Sequence, residues 1–109
     1  MPKNLGYSIL LDCYGELLTE KQRETLDYYY NEDLSLSEIS EIVGISRQGV
    51  MDIIKRSEQQ LNAFEQKLRL KIRFKAIDEA IDILSSVDLD GLNAETKSKI
   101  ELAISKLSF

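Results

Sequence analysis

Leu36 to Lys55, LSEISEIVGISRQGVMDIIK, follows the helix-turn-helix pattern almost position by position. That pattern joins two short amphipathic helices crossing steeply around a tight turn, and Ile39, Val43, Ile45, Val50 and Ile53 stand where the crossing should bury them. Gly44 falls where the first helix has to end in a left-handed backbone conformation, which a side chain would penalise. Ser46 is placed to cap the next helix. Ser35 and Glu38 form a capping box, in which the hydroxyl accepts from a first-turn amide while the carboxylate reaches back to the cap residue. Ser40 is small where the two helices should come closest.

Working toward the N-terminus, Tyr7, Leu10, Leu11, Tyr14, Leu17 and Leu18 recur at helical spacing and leave Asp12 and Glu16 outside, so a first helix with one apolar face is expected. Thr19 and Gln22 make a second capping box. It opens a helix presenting Leu26, Tyr29 and Tyr30 before Asn31-Glu32-Asp33 ends it. The Tyr28-Tyr29-Tyr30 run reads as packing rather than as a platform for stacked bases. With the two helices of the motif, these elements predict a four-helix head, a helix-turn-helix domain over residues 1–60.

The composition bounds the rest. In 109 residues, 43% of them hydrophobic, there is material for one modest core, and a single proline with five glycines leaves few helix breakers. The chain should be all-α. Its start lacks the apolar core of a secretion signal, and no apolar run approaches the roughly 20 residues of a membrane span, so a cytoplasmic protein with no membrane partner is expected. One cysteine, Cys13, and no histidine argue against disulfide frameworks, the usual zinc sites and histidine-based acid–base catalysis. Cys13 reads as a small buried apolar group. With no nucleophile beside a plausible base and no metal cluster, neither an enzyme nor a small-molecule substrate, cofactor or metal is expected.

Beyond Ser46 nothing marks an end to the helix until about Ser85-Ser86, a run of about 40 residues that would extend about 60 Å. The recognition helix is therefore expected to run on into a helical arm over residues 61–109 or to break somewhere that composition does not mark, and the continuous arm is favoured. Within it, Lys67, Arg69, Lys71, Arg73 and Lys75 alternate with Leu68, Leu70, Ile72 and Phe74. Wound as a helix, the alternation places Val50, Ile54, Leu61, Leu68 and Ile72 on one side, and Leu70, Phe74, Ile77, Ile81 and Leu84 near the other. Asn93 can cap a final helix with Ile100, Ala103, Ile104 and Leu107 at helical spacing, closing a C-terminal helical hairpin. A two-helix arm buries too little by itself, so a homodimer formed through residues 61–109 is expected.

Residues 17–61 resemble the region of bacterial sigma factors that reads the −35 promoter element, with Arg23, Ser35, Glu38, Ile39, Gly44, Ile45 and Ser46 at matching positions. Nearly the whole chain is similar to the YlxM family, small helix-turn-helix proteins of Gram-positive bacteria, most specifically in LLTEKQ, YYYNEDLSLSEIS and GISRQGVMDIIKR. Genes of that family commonly lie beside those for the signal recognition particle GTPase and its receptor. The resemblance implies a regulatory role in that targeting pathway.

In DNA-binding proteins of this architecture the N-terminal part of the recognition helix faces base edges. Here Arg47, Gln48, Met51, Asp52, Lys55 and Arg56 occupy it. Arg47 is suited to guanine and Gln48 to adenine, while Lys55 and Arg56 are suited to phosphates. The net charge of −5 opposes nucleic acid as a whole, and Asp52 opposes it locally. Lys67, Lys71 and Lys75 would stack at four-residue spacing as a phosphate patch, pair with acids of a second copy, or be solvated around a buried stripe. Three functions follow: a DNA-binding regulator, an accessory protein contacting the particle's RNA or GTPase through the basic arm, or a structural homodimer module without DNA binding.

Overall fold

The computed structural model describes residues 3–108. Met1 and Pro2, part of the start on which the expectation about a secretion signal rests, and Phe109 lie outside them. Six α-helices are present, α1 (Gly6–Tyr14), α2 (Glu20–Leu26), α3 (Leu36–Val43), α4 (Arg47–Leu68), α5 (Leu70–Ser85) and α6 (Ala94–Leu107), with no strand among the described residues. The all-α expectation holds. The chain divides into two compact units, Met1–Lys71 and Ile72–Phe109.

The first unit is the four-helix head, in which α4 packs against α1, α2 and α3. Both capping boxes form as expected: Thr19 with Gln22, and Ser35 with Glu38. The amide of Ser35 donates to Glu38, and this bond holds the exposed Glu38 carboxyl below its usual range. Gly44 sits at φ 74°, ending α3 in the left-handed region where glycine carries no Cβ penalty. Between α2 and α3 the chain makes a wide π-type turn, Asp27–Asn31, which turns Tyr30 into the core while Tyr28 and Tyr29 pack against it. The tyrosine run is therefore packing. Lys3 fastens the end of this turn: its ammonium donates to the carbonyls of Tyr29 and Leu34, both at 2.7 Å, pairs with Asp33 at 3.1 Å, and lies over the Tyr29 ring.

The core consists of Leu10, Leu11, Tyr14, Leu18, Leu26, Tyr30, Ile39, Val50, Ile54 and Leu61. Two expected members are displaced. Ile53 is only half-buried and Ile54 takes the core position, because the buried side of α4 is set by Val50, Ile54 and Leu61. Leu17 is 58% exposed, since the tight turn Gly15–Leu17 ends the α1 periodicity and leaves Leu18 to face inward.

Of the two outcomes open beyond Ser46, the favoured continuous helix is not found and the break is. Arg69 lies at φ 57°, where its amide closes the last turn of α4 on the Glu65 carbonyl at 2.9 Å. Tertiary hydrogen bonds hold the break. The Tyr14 hydroxyl donates to Glu65 Oε1 at 2.8 Å and accepts from the Leu70 amide at 2.9 Å, while the Lys71 amide donates to the same Glu65 oxygen at 3.0 Å. Two side chains thus satisfy amides that open α5. The break leaves Leu68 46% exposed and Ile72 52% exposed, so the side shared by Val50, Ile54, Leu61, Leu68 and Ile72 does not persist. The first compact unit runs to Lys71.

A non-glycine residue in the left-handed region costs about 1–2 kcal/mol, and glycine relieves it. Arg69→Gly is therefore expected to raise the chemical-denaturation midpoint, by up to about 1 kcal/mol of stability. In an uninterrupted helix the same change would lower it by about as much. The sign decides between the two.

Tyr14 and Tyr30 both have their phenol pKa raised, by burial first and then by donation to Glu65 and Glu58 respectively. The folded chain keeps these protons while the unfolded chain releases them near the ordinary phenol value of 10.0. The stability they contribute is thus complete below that pH and lost as pH rises above it. Urea midpoints are expected to fall on going from pH 9 to pH 11, and to fall less in Tyr30→Phe.

In the second unit α5 and α6 are joined by Ser86–Asn93, with Asn93 accepting from the Thr96 amide at 2.8 Å as the cap of α6. Ile77, Ile81 and Leu84 of α5 and Ile100, Ala103, Ile104 and Leu107 of α6 are half-buried. Among the described residues, none after Leu61 is buried.

Candidate nucleic-acid interface

Ser46 is extended and accepts from the Gly49 amide at 3.0 Å, so α4 begins sharply and its first turn lies at the surface. Val50, Ile54, Ser57 and Leu61 bury one side of the helix. At 100° per residue, Gln48, Asp52 and Lys55 then fall on the opposite side, with Arg47 and Met51 on one flank and Arg56 on the other.

The two flanks face different grooves. Arg47, Gln48 and Met51 line one with Leu36, the first residue of α3. Arg56 lines another between α2 and α4, with Thr19, Lys21, Gln22, Ile53 and Gln60. Across this second groove the Gln22 and Gln60 side chains hydrogen-bond at 3.0 Å. The six residues singled out in the sequence therefore share one helix but not one surface. Lys21 joins Arg56 on the second flank, and sequence reasoning passed over it because the two meet only when α2 packs on α4.

Within the central row, Gln48 Nε2 donates to Asp52 Oδ1 at 3.0 Å. Asp52 thereby orients the amide above it. One Nε2 hydrogen and the Oε1 acceptor of Gln48 remain for a ligand, the pair that adenine accepts and donates in the major groove. The carboxylate still repels phosphate, and the head carries nine bases against twelve acids through residue 71.

The structure disperses the basic alternation. Lys67 belongs to α4, Arg69 is the break itself, and Lys71, Arg73 and Lys75 belong to α5, so Lys67, Lys71 and Lys75 do not stack along one helix. Lys71 is half-buried and lines a small pocket with Asn4, Gly6, Tyr7, Leu10 and Asn62. Arg69, Arg73 and Lys75 are exposed. Cys13 is half-buried against the core and its thiol pKa is raised, chiefly by burial, which disfavours the nucleophilic thiolate. Among the described residues no group of histidine, cysteine, aspartate and glutamate side chains could hold a metal ion, and no helix is long and apolar enough to cross a membrane.

Residues 1–102 match the family described as "Putative helix-turn-helix protein, YlxM / p13 like". A UPF0122 protein of Clostridium kluyveri is 51% identical over 105 residues, covering 93% of this chain and 94% of the relative. One from a Thermoanaerobacter species is 52% identical over 78 residues, 72% of this chain and 67% of the relative. One from Acetivibrio thermocellus is 44% identical over 99 residues, covering 87% and 85%.

Proposed function

The chain belongs to the family of YlxM- and p13-like helix-turn-helix proteins, and from that footing we propose that it binds duplex DNA as a regulator, with the first turns of α4 in the major groove. One observation carries this reading: Arg47 and Gln48 stand exposed on the opening turn of a sharply capped helix, and Asp52 holds the Gln48 amide in place. Arg47 and Gln48 read bases, Met51 meets a thymine methyl, and Lys55 holds a phosphate on the same side. Lys21 and Arg56 hold a phosphate of the flanking strand. Because the head has net negative charge, binding rests on base contacts more than on its overall field.

Selection from a random-sequence duplex library at low salt tests the proposal. A recurring motif containing guanine and adenine is expected, with a shallow salt dependence. Three phosphate contacts give a log–log slope of about −3 per protomer, and each of Lys21→Ala, Lys55→Ala and Arg56→Ala should reduce it by about 1. Failure to enrich any sequence overturns the reading.

The proposed regulator acts as a homodimer through residues 61–109, since α5 and α6 carry no buried side chain. Its proposed setting is the signal recognition particle pathway, on the family resemblance. Contact with the particle's RNA or GTPase through Lys67, Arg69, Lys71, Arg73 and Lys75 is the weaker reading, because the break at Arg69 divides that patch between two helices. Arg73→Ala with Lys75→Ala should leave the base preference of the head unchanged. Loss of RNA capture in that variant, with no duplex bound by the wild type, would favour the basic arm instead.

A further inference from the structure

We propose that two copies of this chain pair antiparallel along the outer side of α5, about a two-fold axis passing between Ile77 and Asp78. The helix has a second apolar side besides its half-buried one. Ile72, Ala76, Ala80 and Ile83 recur at helical spacing, and Ile72 and Ile83 are 52% and 67% exposed. Bulky residues stand at the two ends of this stripe and alanines at its centre, so a second helix can approach closely in the middle. The 37 described residues after Lys71 contain no buried side chain, too little for a self-standing core.

Charge identifies the occupant as a second copy. The first half of α5 carries Lys71, Arg73 and Lys75, and the second half carries Asp78, Glu79 and Asp82. A parallel partner would set bases against bases and acids against acids. An antiparallel one reverses this. About the stated axis, Ile72 meets Ile83 of the partner subunit, and Lys75 lies within one residue of the partner's Glu79 on the same flank of the stripe. The two-fold axis makes each pair twice, so one surface complements itself.

This rests on the homodimer of the proposed function but not on DNA binding, and the test separates the two. Sedimentation of the full chain at rising micromolar concentration is expected to show a dimer. Lys75→Glu or Glu79→Lys should each weaken it by about tenfold or more in Kd, since each reverses two symmetric pairs, and the double variant Lys75→Glu with Glu79→Lys should restore it. Circular dichroism melting of the head checks that each variant remains folded. A wild-type monomer, whether or not it captures RNA through Arg73 and Lys75, overturns the homodimer itself. A dimer indifferent to both single changes, or not restored in the double variant, overturns only the pairing along α5.

Discussion

Leu61→Ala is expected to remove about 2–5 kcal/mol of stability from the head, the cost of deleting buried methyl groups and leaving a cavity. Leu61 is 0% exposed and belongs to the same core as Tyr14 and Ile54, although it lies where the sequence places the start of an arm. A domain of this size has only about 5–10 kcal/mol to lose. The melting temperature should fall by about 4–8 °C for each kcal/mol removed. Leu68→Ala, two turns further along the same helix, is the control, because Leu68 is already half-exposed. Its effect should stay below about 1 kcal/mol. Equal and small losses at both positions would mean that the head ends before Leu61 and that the α4 packing is wrong.

Arg47→Ala should weaken binding to a selected duplex by about tenfold to a hundredfold, corresponding to the 1–3 kcal/mol of a paired contact to guanine. The loss should be concentrated at one base position. Arg47 is exposed at the first position of α4, so the fold and its melting temperature are expected to be unchanged. Asp52 gives a sharper contrast. Asp52→Asn removes the charge that repels phosphate but keeps an acceptor for Gln48, so binding should tighten with adenine preference intact. Asp52→Ala frees the Gln48 amide and should relax that preference. If both Asp52 variants behave alike, the hydrogen bond between these side chains has no part in recognition.

How much was legible in the sequence depended on how far apart the interacting groups lie. The capping boxes at Thr19 and Ser35, the glycine turn at Gly44 and the cap at Ser46 involve neighbours within one turn, and each forms as its sequence indicates. The phase of burial was harder to read. Ile53 and Ile54 are both apolar and differ by 100° around the helix, and only packing against three other helices selects Ile54. The break at Arg69 was not legible at all. Gln66-Lys67-Leu68-Arg69-Leu70 has ordinary helix formers throughout, and the chain is turned by Tyr14, which is 51 residues from Glu65 and 56 from Leu70. Lys21 was missed for the same reason, since the groove it shares with Arg56 exists only between packed helices. Lys3, too, finds its carbonyls about 30 residues away, at separations of 26 and 31.

The recognition surface itself is open to one direct observation. Backbone amide chemical shifts of the full chain can be followed while a selected duplex is titrated in at low salt. The largest changes are expected at Arg47, Gln48, Met51 and Asp52, with smaller ones at Leu36 and Lys21. Changes confined to residues 67–75, or none at all, would contradict the placement of α4 in the groove.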